Sequence, residues 1–292
     1  MAIDQLINLL AAITLIEMMV TVGLGTEISH VLNVVANWGL VSRALIANYV
    51  AVPLACTALL LLFGASPMIA AGFMIAAVCP GAPYGPPLTA LAKGNSQAAV
   101  GLMLILAASS ALLAPLLLGL LLPVIAGNID LKINVAKVVK TLLGAQLLPL
   151  CAGLLIRRFR SNLADKLKKP ASVLSLFLNL SLLGIILTFQ FRMLSGIRLR
   201  GYFAMLCLLL TCIAVGWLAA RHRDNNVRGM VITTSVRNVG VGLVIATACF
   251  PGTAAISSIT AYALFQTILM TAVAFMWGRM TPTIKLVRKK AA

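Results

Sequence analysis

The chain has 292 residues, 61% of them hydrophobic and only 10% charged, with a mean hydropathy of +1.06. A water-soluble domain of this length cannot hide so much apolar surface, so the composition excludes a soluble globular protein and makes a lipid bilayer the expected partner. The formal net charge of +17 would suit a nucleic-acid binder, but the basic residues sit in short stretches between apolar runs, without any helix-turn-helix, zinc-finger or RNP-like pattern, so no nucleic acid is expected.

A helix needs about 20 apolar residues to cross a bilayer. Nine stretches qualify, at roughly 6–27, 41–63, 67–92, 97–126, 136–156, 171–191, 202–220, 227–250 and 254–278. Their length and continuity predict an all-α integral membrane protein rather than a barrel of short alternating strands. The first stretch has no basic segment before it and is too long for a cleavable leader, so it is expected to stay in the membrane. It carries Glu17, an acid at membrane depth. The second carries Asn48.

The third stretch holds Cys79-Pro80-Gly81-Ala82-Pro83-Tyr84-Gly85-Pro86-Pro87, with four prolines in eight residues. Each proline removes an amide donor and clashes with the preceding turn, so the helix must break here. The fourth has Ser109 and Ser110 ahead of Pro115. The eighth contains Ser235-Val236-Arg237-Asn238-Val239-Gly240-Val241-Gly242, and Arg237 is the one basic residue of the 23 that lies mid-span rather than in a linker or near a span end. An ionisable group at that depth costs several kcal/mol unless paired or hydrated, which marks a functional site.

The two breaks lie five spans apart, so the helices that carry them cross the membrane in opposite directions. Interrupted spans at matching places in two inverted halves point to a transporter's binding site. Nine spans then make two five-helix inverted repeats lacking one helix. The chain is expected to be one domain over 1–292 because most linkers are short.

Orientation follows from Lys and Arg in the linkers. Six (Lys132, Lys137, Lys140, Arg192, Arg198, Arg200) fall on the side of the N-terminus and sixteen on the other. This bias predicts an outside N-terminus and a cytoplasmic C-terminus, and the short loops suit a bacterial inner membrane. The six cysteines show no CxxC spacing, so they suggest neither a metal site nor a disulfide framework, and no cofactor is expected. One Glu, one Arg and no His at depth make a poor catalytic set, so no enzyme is expected.

These motifs resemble the bile acid:sodium symporter family. Its first signature reads CPGGTASN, then LA, a basic residue, Gly, and Asp or Asn. Here Cys79 to Pro86 occupy the first part and Leu91-Ala92-Lys93-Gly94-Asn95 the second. The second signature, EVGMQNSGLG, corresponds to Thr233 through Gly242. Asn48-Tyr49-Val50-Ala51-Val52-Pro53-Leu54 echoes a third segment, and the resemblance covers nearly the whole chain.

The resemblance implies a core of spans 2–4 and 7–9 (about 41–126 and 202–278) beside a panel of spans 1, 5 and 6 (about 6–27, 136–156 and 171–191). The two broken helices would cross in the core. It also implies a secondary transporter of a small organic anion, with substrate near Ala82, Pro83, Tyr84, Gly85, Arg237 and Asn238. The family's sodium ligands fall on Gly85, Pro86, Thr233 and Arg237, with Asn48 at a partnering Gln. Glycine and proline offer no side-chain oxygen, and an arginine accepts no hydrogen bond and repels a cation. One Glu with two sodium ions carries +1, as does Thr233 with Arg237. Arg237 is therefore expected to replace a bound cation, which disfavours sodium as a ligand, and Glu17 to pair with it or carry a coupling proton. The alternatives are a sodium- or proton-coupled anion symporter with a relocated ion site, and a non-transporting sensor on the same scaffold.

Overall fold

The computed structural model describes residues 2–126, 133–220 and 226–280, with backbone alone at 2–4, 190 and 192–194. Of the residues used for orientation, Lys132, Arg221, Arg223, Lys285, Arg288, Lys289, Lys290 and the side chain of Arg192 lie outside this description.

Among the described residues the regular secondary structure is all helical. The helices are α1 (Ala2–Gly25), α2 (Ile28–Ala36), α3 (Trp38–Phe63), α4 (Pro67–Val78), α5 (Gly85–Leu91) and α6 (Ser96–Ala126). They continue with α7 (Val135–Phe159), α8 (Ser161–Ser195), α9 (Leu199–Ala219), α10 (Val227–Ser235), α11 (Val239–Cys249) and α12 (Ala254–Met280). Eight stretches among the described residues are long and apolar enough to cross a membrane. The expected third crossing is missing from that set because its break leaves a 12-residue α4 and a seven-residue α5, each too short alone.

Two departures from the hydropathy reading have simple causes. The linker at 28–36 forms α2, whose Val34 is buried while Leu32 is exposed. Nine residues are too few to register as a span. α8 begins ten residues before the expected 171, because its first turns carry Lys166, Lys168 and Lys169, and hydropathy registers only the lipid-facing part of a helix.

Two single π-turns, Ala47–Ala51 in α3 and Leu143–Leu147 in α7, sit just ahead of Pro53 and Pro149. A proline's ring collides with the carbonyl four residues back, here Tyr49 and Ala145, and widening that turn relieves the collision. Each π-turn also holds a fully buried amide, Asn48 or Gln146. Gln146 Nε2 donates to Ser110 Oγ at 3.0 Å and to the Ala107 carbonyl, fastening α7 to α6.

α1 lies along both α7 and α8. α4 packs between α6 and α12, and α9 against α10. The α1–α7 contact is a backbone approach: a Cβ on Gly153 would stand 2.4 Å from the Val20 carbonyl oxygen and 2.9 Å from Gly23 Cα. Gly153→Val is therefore expected to separate the two helices and destabilise the protein by about 1–3 kcal/mol, the usual range for overpacking. A lower melting temperature in detergent would register this, with the packing of α4 against α6 and α12 untouched.

Candidate functional site

The two breaks meet. Residues Cys79 to Tyr84 leave helical geometry between α4 and α5, as do Val236 to Asn238 between α10 and α11. The Asn238 amide donates to the Cys79 carbonyl at 2.7 Å, and Asn238 Nδ2 donates to the Gly81 carbonyl at 3.2 Å. Asn238 Oδ1 accepts from Val241 N at 3.3 Å, capping α11. One side chain thus ties both breaks together and starts the second half-helix. Gly81 permits the approach: its φ is +80°, and a Cβ there would lie 2.4 Å from Ala107 N of α6.

Arg237 is 1% exposed and lies at the centre of this junction. Nη1 donates to Asn48 Oδ1 at 3.1 Å and to the Ala77 carbonyl at 3.3 Å. Nη2 donates to the Thr234 carbonyl and approaches Cys212 Sγ at 3.7 Å. All of these partners are uncharged. Ala77 lies in the last turn of α4 and Thr234 in the last turn of α10. Carboxyl ends of helices carry negative partial charge, so both half-helices present favourable dipoles to the guanidinium. Carbonyls of broken helices hold cations in this way in transporter cores.

Asn48 is held in turn, donating through Nδ2 to the Ala44 carbonyl at 2.9 Å and to Thr234 Oγ1 at 3.3 Å. Gln266 of α12 clamps the Arg237 backbone: Arg237 N donates to Gln266 Oε1 at 3.2 Å, and Gln266 Nε2 donates back to the Arg237 carbonyl at 3.3 Å. Gln266 Nε2 also donates to Tyr84 Oη at 2.8 Å. Tyr84 donates to the Arg237 carbonyl at 3.4 Å, so the first break reaches the second through an aromatic hydroxyl.

Of the residues expected at the site, Tyr84, Asn48, Arg237 and Asn238 converge. Ala82 and Gly85 are buried beside them and Pro83 is half-buried; a Cβ on Gly85 would meet nothing within 4 Å. Thr233 lies one helical position away from the expected role. Its buried Oγ1 has no hydrogen-bond partner, whereas Thr234 supplies both the hydroxyl to Asn48 and the carbonyl to Arg237. The expected Glu17–Arg237 pair does not form. Glu17 is half-buried between α1 and α8, accepting from Thr21 Oγ1 at 2.7 Å and from Ser175 Oγ. Two nearby hydroxyls suffice to solvate a carboxylate whose helix faces a different neighbour. The other described carboxylates, Glu27 and Asp165, both engage Arg157.

Sequence reasoning missed Thr234, Gln266 and Cys212. Gln266 had a signal, as an amide in an otherwise apolar run of the last span. Ser109 and Ser110 donate to their own helix at the Ile105 and Ala107 carbonyls, though Ser109 also meets Tyr49 Oη at 2.8 Å.

A sequence profile of the Sodium Bile acid symporter family matches residues 12–197. The chain is also similar to the uncharacterized protein YbaS of Bacillus subtilis (strain 168), with 27% identity over 232 residues, covering 75% of this chain and 72% of that protein.

Proposed function

The chain belongs to the Sodium Bile acid symporter family, and from that premise we propose that it carries a small organic anion across the membrane by alternating access without bound sodium. Members of this family are membrane transporters, so the protein is a multi-pass carrier of a small molecule and not an enzyme. The anion, the absence of sodium coupling and the moving parts are the proposal. In it, α1, α7 and α8 form the panel, and α3–α6 with α9–α12 form the core that moves against it. The N-terminus faces outward and the C-terminus the cytoplasm of a bacterial inner membrane.

One observation carries this reading. The guanidinium of Arg237 occupies the point where two half-helix carboxyl ends converge, and its partners there are all uncharged. Its fixed positive charge does the electrostatic work of a bound cation, since carbonyl dipoles stabilise it where they would otherwise coordinate an ion. The junction keeps a net charge of +1, and an uncompensated buried charge is costly in lipid. An anionic substrate beside the breaks offsets that cost, which gives selectivity for anions without a coupling ion. The amino end of α11, capped by Asn238, and the open space next to Gly85 lie at the same junction.

The test is the melting temperature of the detergent-purified protein against small carboxylates and sulfonates in sodium, potassium and choline buffers of equal ionic strength. A ligand that binds the native state raises it by mass action. Equal stabilisation in all three cations supports the reading. Stabilisation that requires sodium overturns it.

A further inference from the structure

A cavity lies away from the junction, at the end of the bundle where α3 turns into α4 and α8 into α9. Its volume is about 630 Å³, within the range of sites that enclose small molecules. None of Ala82, Pro83, Tyr84, Gly85, Arg237 or Asn238 lines it. The space exists because facing positions carry small residues, Gly201 and Ala204 on α9 and Ala254 and Ala261 on α12. Leu59, Phe63, Phe73 and Leu208 make its walls apolar. Arg198 and Arg200 line it at the amino end of α9, and both are exposed. Arg200 Nη2 donates to the Phe63 carbonyl, which holds that guanidinium across the gap between α9 and α3. Among the described residues that line the cavity none is acidic.

We propose that this cavity binds a single-chain amphiphilic acid, with its anionic head at Arg198 and Arg200 and its chain between α9 and α12. The two arginines sit together at the amino end of α9, and the rest of the lining is mostly apolar, with Ser66, Ser257 and Ser258 as its hydroxyls. Two charged donors at the mouth specify an acid over an alcohol, because hydrogen bonds to charged groups exceed neutral ones. The apolar depth specifies a chain over a short carboxylate. The site is independent of the transport reading, since it uses neither break nor Arg237.

The experiment is equilibrium binding of radiolabelled decanoate to the full-length protein in nanodiscs of phosphatidylcholine. One saturable site is expected, with decanol weaker by about tenfold or more. Arg198→Gln is expected to weaken decanoate by about tenfold, and Ala204→Phe, which fills the cavity without touching charge, to abolish the site. Competition by lysophosphatidylglycerol, which has one acyl chain, would identify a single-chain phospholipid as the source of the acid head, and indifference to it a free fatty acid; both support the site. Binding unchanged in both variants, or decanol binding as tightly as decanoate, overturns the proposal. So does displacement by the short carboxylates that stabilise the junction, which would place decanoate there instead. Retained decanoate binding in a protein that shows no response to short anions would overturn the transport reading alone.

Discussion

Arg237→Gln is expected to abolish stabilisation by organic anions in every cation buffer while leaving a folded protein. The amide removes the fixed charge, and with it the cost of burying an ion, which for an isolated group amounts to several kcal/mol. Against that, Asn48 Oδ1 and the carbonyls of Ala77 and Thr234 lose their donor. Each orphaned buried acceptor costs about 1–3 kcal/mol, so the two effects largely offset each other in stability but not in ligand response. Arg237→Lys keeps the charge without the planar fork and is expected to retain a weakened response.

Asn48→Asp is the sharper variant. It places a carboxylate 3.1 Å from the guanidinium and neutralises the junction from within the protein. The expected outcome is a melting temperature at least as high as the parent's and no anion response. An Asn48→Asp protein that still binds anions would show that the guanidinium is only a clamp on the broken backbone.

Gly81→Ala is expected to destabilise the protein by about 2–5 kcal/mol. Two costs combine. A side chain in the left-handed region costs about 1–2 kcal/mol, and overpacking a close backbone contact a further 1–3 kcal/mol. The contact here is severe, with Ala107 N at 2.4 Å and Met103 O at 2.8 Å from the added carbon. Gly85→Ala provides the contrast four residues on. Its Cβ meets nothing within 4 Å, so stability should change by no more than about 1 kcal/mol, the range for a glycine replaced by alanine without strain. Melting curves of the two variants in detergent measure the difference. Equal effects would mean that Gly81 does not press against α6 as described.

Most of the architecture could be read along the chain because lipid imposes one rule on every span. Backbone groups must be satisfied within the segment, so hydropathy and helix coincide, and most expected spans lie within a few residues of the observed helices. The rule fails where its premise does. Residues 161–169 are helical yet charged, so hydropathy did not register them as part of the span. The π-turns at Ala47–Ala51 and Leu143–Leu147 have local causes in Pro53 and Pro149, but proline spacing does not reveal whether a helix kinks, breaks or widens.

The breaks themselves were fixed by residues close together in the chain: prolines at 80, 83, 86 and 87, and glycines after Arg237. Their meeting was not, because it depends on Asn238 reaching Cys79 and Gly81, a contact across more than 150 positions. The same limit applies to charge. That Arg237 lies at membrane depth followed from its neighbours in the chain, since burial of a span is a local property. Which group answers its charge is a matter of helix rotation and packing. Those turned Glu17 toward Thr21 and Ser175 and left Arg237 to carbonyl dipoles and amides. Depth is set along the chain, whereas pairing is set between helices, by contacts such as Gly23 on Gly153 and Gly81 on Ala107 that no single span contains.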